Sequence, residues 1–358
     1  MKKLFTILAV AATLVSCAKE DVVREAAREA IGFDNAFVEN STRSVETPGY
    51  SNTESGIFTD FAVFGFVQDA SLFEAGYERV AKDIQNGKLT SVWKYTSTQY
   101  WIAGANYDFY AVAPCFAPVE GVNKNYWTVD SSNSEGATIT FTTTDGKQDL
   151  LYSGIEAEQG KVSGNTPVAF NFKHILSKVK FSFENGYNAS NASIRVKNIN
   201  INNAYKTGKA TLAVDDTTTE GVDETVAWKN QADGAADFAI SFGDATDFES
   251  TDAKENSVAT YDFGKTVESY SERLLIPGNK TWNISFVVEL LVGTTVVQTY
   301  NHTATAVINF EPGKAYDIKT TITAANIDPN HAQEPIEFTA TMTNWSDAEN
   351  KTATVVTK

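Results

Sequence analysis

The feature that most limits what this chain can fold into is its hydrophobic period. From Ile31 onward apolar residues recur at every second position, and a helical period sustained over ten residues is nearly absent. Ile31, Phe33 and Phe37 fall on one side of an extended segment, with Asn35 between them. Further on, short runs separated by Gly, Asn, Asp and Ser clusters predict strands over 61–67, 93–101, 107–113, 137–143, 168–172, 179–183, 194–201, 282–291, 295–300, 316–323 and 336–342. Strands so short and so evenly spaced predict an all-β protein made of sandwiches. A hydrophobic content of 42% is enough to fill such cores, so the chain is not a disordered surface coat.

The first thirty residues follow other rules. Lys2 and Lys3 precede an apolar run, Leu4 to Val15, that is too short for an ordinary membrane span and ends in Ser16-Cys17. Residues 1–16 therefore read as a lipoprotein signal peptide, and Cys17 as the residue lipidated after cleavage. In 18–30, Val22, Val23, Ala26, Ala27 and Ala30 recur at helical spacing, which predicts a short solvated helix. With Cys17 lipidated, Cys115 has no disulfide partner, and its apolar setting predicts a buried, inert thiol.

Chemistry is hard to find. The net charge of −16 repels phosphate backbones and excludes nucleic acid as a partner. Only three histidines exist, His174, His302 and His331, and none has a His or Cys partner at i+2 to i+4. No Gly-x-Ser-x-Gly elbow, phosphate loop or dinucleotide fingerprint is present. The sequence thus predicts no catalytic residue, no metal and no cofactor: not an enzyme. The stretch around Trp93, Trp101, Tyr110 and Trp127 is rich in aromatics. These either fill a sandwich core or form a stacking platform for sugars, and both readings stay open at this level.

The order of segments carries more information than any single motif. After the lipidated Cys comes a strand-like propiece ending in Thr42-Arg43, then an aromatic β segment with Phe61-Ala62-Val63-Phe64-Gly65-Phe66. Then follow Gln148-Asp149-Leu150-Leu151-Tyr152, Phe172-Lys173-His174-Ile175-Leu176-Ser177-Lys178-Val179, Leu274-Leu275-Ile276-Pro277-Gly278 and Pro312-Gly313-Lys314-Ala315-Tyr316-Asp317-Ile318. This succession resembles the fimbrillin family of Bacteroidales, the type V pilins. The resemblance implies two transthyretin-like Greek-key β-sandwich domains behind a signal and propiece. Carried onto this chain, the divisions are 1–16 signal, 17–43 lipidated propiece, 44–173 first sandwich and 174–358 second sandwich.

The resemblance also implies a mechanism. An Arg-specific protease would cut between Arg43 and Ser44 and remove the strand carrying Ile31, Phe33 and Phe37. An extended segment of a neighbouring subunit would then fill the vacated groove. Candidate donor residues are Ile336, Phe338, Met342, Val355 and Val356, although Ile336 to Met342 also read as an ordinary strand of the second sandwich. Implied partners are other fimbrial subunits joined head to tail, the protease, the outer membrane through lipid on Cys17, and a host or bacterial surface ligand. The implied setting is the cell outer membrane, then a fimbrium serving adhesion and biofilm formation. Alternatives are an anchor or tip subunit that keeps its lipid, or a glycan-binding surface lipoprotein.

Overall fold

The computed structural model describes residues 29–38, 60–86, 88–115, 127–159, 164, 166–213, 226–230, 238–247, 258–327, 336–344 and 350–351 of the 358-residue chain. Its single helix among these is one turn, Ala324–Ile327; nearly everything else is strand, so the all-β expectation holds. The strands form four sheets.

The first sheet has eight strands. Its path runs Phe33–Val38, Val168–His174, Leu151–Gln159, Asn106–Ala113, Asp60–Val67, Glu78–Gln85, Lys88–Lys94, with Ala70–Ser71 added beside Asp60–Val67. Asp60–Val67 lacks polar alternation because both its faces are covered. Phe61 and Val63 join Tyr107, Phe109, Phe170 and Phe172 on one side, while Ala62, Phe64 and Phe66 join Tyr110 and Val112 on the other. Gly65 between them is required sterically: a Cβ there would stand 2.9 Å from the Leu72 side chain and 3.0 Å from the Phe109 ring.

The second sheet, in the order Val226–Asn230, Thr207–Ala213, Gly136–Thr142, Trp127–Asn133, covers the Phe64 face with Trp127, Ile139, Phe141 and Leu212. Half of this sheet comes from residues after 200, since Thr207–Ala213 pairs antiparallel with Gly136–Thr142 throughout its length. A single cut at residue 173 therefore does not separate the sheets; the hairpin of 207–230 returns to the earlier one. Ala210 and Leu212, with Trp228 packed beside them, are buried in the same apolar cluster as Phe64 and Tyr110.

The third sheet is centred on Ser177–Asn185, which pairs parallel with Lys314–Ile322 and antiparallel with Thr266–Ser269 and Arg273–Leu275. Ala245–Thr246 lies beyond Thr266–Ser269, and Thr339–Asn344 and Asn350–Lys351 complete the other end. The fourth sheet runs Phe238–Gly243, Ala192–Ala204, Gly278–Val292, Thr295–Phe310. Between these two sheets lie Val179, Phe181, Phe183, Trp282, Phe286 and Ile318, all buried.

Two expectations are corrected. The strand expected over 93–101 ends at Lys94, because Tyr95 to Trp101 turns away to bond with residues 29–31. The acidic stretch from 215 to 254, over which no strand was expected, contributes the strands Val226–Asn230 and Phe238–Gly243.

Candidate functional site

The candidate site is the groove that holds residues 29–38. This segment is bonded on both flanks. On one flank Ile31 N–H donates to Gln99 O at 2.8 Å, and Trp101 N–H donates to Glu29 O at 2.9 Å, with Ala30 bridging Tyr100 antiparallel. On the other flank the strand Phe33–Val38 pairs parallel with Val168–His174, Phe33 opposite Val168 and Phe37 opposite Asn171, with an irregularity between Asp34 and Phe37. Val168 N–H donates to Gly32 O at 2.8 Å. One ten-residue segment thus covers the edge of Val168–His174 in the first sheet and bonds the loop at Gln99 to Trp101 on its other side.

Side chains fix the segment as firmly as the ladder does. Ile31 and Phe33 are 2% and 5% exposed. The Phe33 ring meets Tyr95 at 5.2 Å edge to face, and lies 6.0 Å from both Phe109 and Phe170. Tyr95 Oη donates to Ile31 O at 2.7 Å and accepts from Gln99 N–H at 3.1 Å. Burial pushes the Tyr95 hydroxyl above the ordinary phenol pKa, which keeps it protonated and a donor. Tyr95 and Gln99 were not legible as site residues; the only sequence signal near them is the loop-forming Thr96-Ser97-Thr98.

Of the residues singled out in the sequence, Ile31 and Phe33 come together in this groove, and Phe37 lies in the same strand. Cys17, most of the expected helix of 18–30, Arg43, Ser44, His331, Val355 and Val356 lie outside the described residues. Ile336 and Phe338 are buried in the core between the third and fourth sheets, Phe338 edge-on to Phe181 at 6.0 Å, and Met342 packs against the same core. The strand Thr339–Asn344 pairs along Lys314–Ile322. Met342 lies in this strand and Ile336 and Phe338 lead into it, so all three pack within their own chain. Trp101 and Trp127 are 5% and 6% exposed and fill cores rather than a sugar platform.

The remaining motifs converge away from the groove. Ile175 N–H donates to Leu150 O at 3.1 Å, Leu274 N–H to Gly146 O at 2.7 Å, Gly313 N–H to Leu176 O at 2.9 Å, and Trp228 Nε1–H to Ile175 O at 2.8 Å. His174 Nδ1 sits 2.8 Å from Asp149 Oδ2, whose other oxygen accepts Leu150 N–H, also at 2.8 Å. His174 is thus a packed side chain beside a fully buried carboxylate. The motifs build the junction through which the early sheets meet the late ones. No group of three or more His, Cys, Asp or Glu suited to a metal occurs among the described residues. No helix among them is long and apolar enough to cross a membrane.

The fimbrillin-like family pattern matches residues 42–345. The fold is similar to that of a fimbrial protein from Bacteroides vulgatus, with 16% identity, 88% of this chain and 99% of that chain covered, and a TM-score of 0.57. It is also aligned with proposed cell adhesion proteins from Bacteroides uniformis (16% identity, 89% and 99% covered, TM-score 0.41) and Parabacteroides distasonis (12%, 90% and 98%, 0.43). No curated protein matches the sequence. Since the family match runs from just before Arg43 to just past the strand Thr339–Asn344 and takes in strands of all four sheets, with Phe33–Val38 and Asn350–Lys351 outside it, the chain belongs to the fimbrillin-like family, a family of structural proteins rather than enzymes.

Proposed function

We propose that the chain is a subunit of a cell-surface fimbrium that serves adhesion, exported as an outer-membrane lipoprotein through Cys17 and switched on by cleavage between Arg43 and Ser44. The observation that carries this reading is the segment 29–38, bonded on both flanks and plugging an aromatic pocket through Ile31 and Phe33. It lies just upstream of Arg43, so one cut would sever its only covalent link to the body that it completes. Loss of that segment would open the edge of Val168–His174, the bonding groups of Gln99 and Trp101, and the pocket under Phe33, a surface that a strand from another subunit can cover. Head-to-tail repetition of such a contact does not close on itself and builds a filament. The donor in this reading is the C-terminal segment beyond residue 344, with Val355 and Val356 among its apolar residues. Two sandwich units, joined at the motif junction, make up each subunit.

The test is direct. An Arg-specific protease acting on the purified full chain should shorten it by the propiece and yield multimers that survive SDS until strongly heated. A chain that stays full length and monomeric overturns the stalk reading and leaves an anchor or tip subunit. The glycan-binding alternative rests on the part-buried Trp93, because Trp101 and Trp127 are not presented to solvent.

A further inference from the structure

Every open sheet has edges, and soluble proteins blunt them by keeping edge strands short, by charging them, or by inserting Pro. Most edges among the described strands follow this rule. Lys88–Lys94 carries a Lys at each end, Trp127–Asn133 carries Asp130, Val226–Asn230 carries Lys229, and Phe33–Val38 carries Asp34. Ala245–Thr246 and Asn350–Lys351 have two residues each, and Phe238–Gly243 has six.

Thr295–Phe310 breaks the rule. It is the terminal strand of the fourth sheet, sixteen residues long, and contains no Lys, Arg, Asp, Glu or Pro. One β-bulge, where Val297 is passed over between the pairs Leu290–Gln298 and Leu291–Val296, distorts only its start. The thirteen residues from Gln298 to Phe310 then pair without interruption along Gly278–Val292, and their other edge has no strand partner among the described residues. Tyr300, Ala306, Ile308 and Phe310 point into the core and hold the strand in place. Thr299, Asn301, Thr303, Thr305, Val307 and Asn309 are exposed on the outer face.

We propose that this edge pairs with the same edge of a second copy of the chain, antiparallel and about a two-fold axis at Ala304. The choice of a second copy rests on charge and self-complementarity. A chain of net charge −16 repels its copies over most of its surface, yet this strand presents no charge to oppose. Antiparallel pairing keeps core-facing residues on one side only if the two partner numbers sum to an even number. Centring on Ala304 is the one such register that uses all thirteen regular residues. It sets Thr303 opposite Thr305 of the partner subunit and Thr299 opposite Asn309 of the partner subunit, uncharged pairs suited to cross-strand contact. Such a contact is isologous and closes at two copies. In a filament it would join neighbours sideways.

The test uses the uncut full chain, in which the donor-strand reading allows no polymer, so the two proposals fail separately. Sedimentation equilibrium should find a reversible dimer. Thr303→Lys with Thr305→Lys sets Lys against Lys in this register and should weaken the dimer at least tenfold. Thr303→Lys with Thr305→Glu sets Lys against Glu and should keep it. Both variants place charge only on an exposed face beside Ser285 and Asn283, and unchanged circular dichroism would confirm their folding. A wild-type chain that stays monomeric, a dimer indifferent to the double-Lys change, or loss of the dimer in both variants overturns the proposal.

Discussion

At the scale of single residues, the groove holds through a few atoms whose roles can be separated. Tyr95 Oη is the donor that reaches Ile31 O across the open end of the sheet. Tyr95→Phe keeps the ring against Phe33 and deletes only the hydroxyl, so urea unfolding of the precursor should lose about 1 kcal/mol. Phe33→Ala empties the space between Tyr95, Phe109 and Phe170 and should cost about 3–5 kcal/mol in the same measurement. His302 offers a pH test in the other core. Its ring stacks on Phe286 at 5.3 Å, its Nε2 has no hydrogen-bond partner among the described residues, and burial holds its pKa below the usual imidazole value. A His whose folded pKa is depressed contributes stability that is complete above about pH 6.5 and is lost as pH falls through the lower, folded value. His302→Phe should therefore lose less stability between pH 7 and pH 5 than the wild type, as read from urea midpoints. Equal losses would show that the ring titrates freely.

At the scale of elements, the strand Thr339–Asn344 and the residues after it have different tasks. Because Ile336, Phe338 and Ala340 are core residues, truncation after Asn344 should leave the urea midpoint of the monomer nearly unchanged while abolishing SDS-resistant multimers after protease treatment. Truncation after Pro335 should instead unfold the late sheets, seen as loss of the cooperative transition. Normal multimers from the shorter deletion would remove the tail as donor. The elements also show what a sequence can disclose. Asp60–Val67, Asn106–Ala113 and Gly278–Val292 were legible because their own apolar residues report burial on one or both faces. The loop Tyr95 to Trp101 was misread as strand because Tyr95, Gln99 and Trp101 bond to a segment more than sixty residues away, which no local period encodes. Val226–Asn230 was hidden for a similar reason. It has one large apolar residue, Trp228, and its place is decided by a partner strand whose own neighbour is Gly136–Thr142.

At the scale of the whole molecule, two regions divide the labour: a groove filled by residues 29–38, and a junction assembled from the motifs around Leu150, Leu176, Leu274 and Gly313. The groove was visible beforehand as Ile31, Phe33 and Phe37 in an extended pattern, but the flanking bonds from Gln99 and Trp101 were not. The junction motifs were legible only as landmarks, and their shared position emerged from hydrogen bonds spanning more than a hundred residues. Arg43→Ala should leave the chain folded and full length under Arg-specific protease, with no multimers. Adding Thr42→Arg to that variant should bring both cleavage and multimers back.

A plug gripped on two flanks does not fall out when its tether is clipped. Hydrogen bonds from Ile31, Trp101 and Val168, and the ring of Phe33 in its socket, would remain after a cut at Arg43. Clipped molecules would accordingly wait, intact and inert, until an incoming tail peels the old segment away from one end, and fibre growth would trail cleavage by a measurable delay.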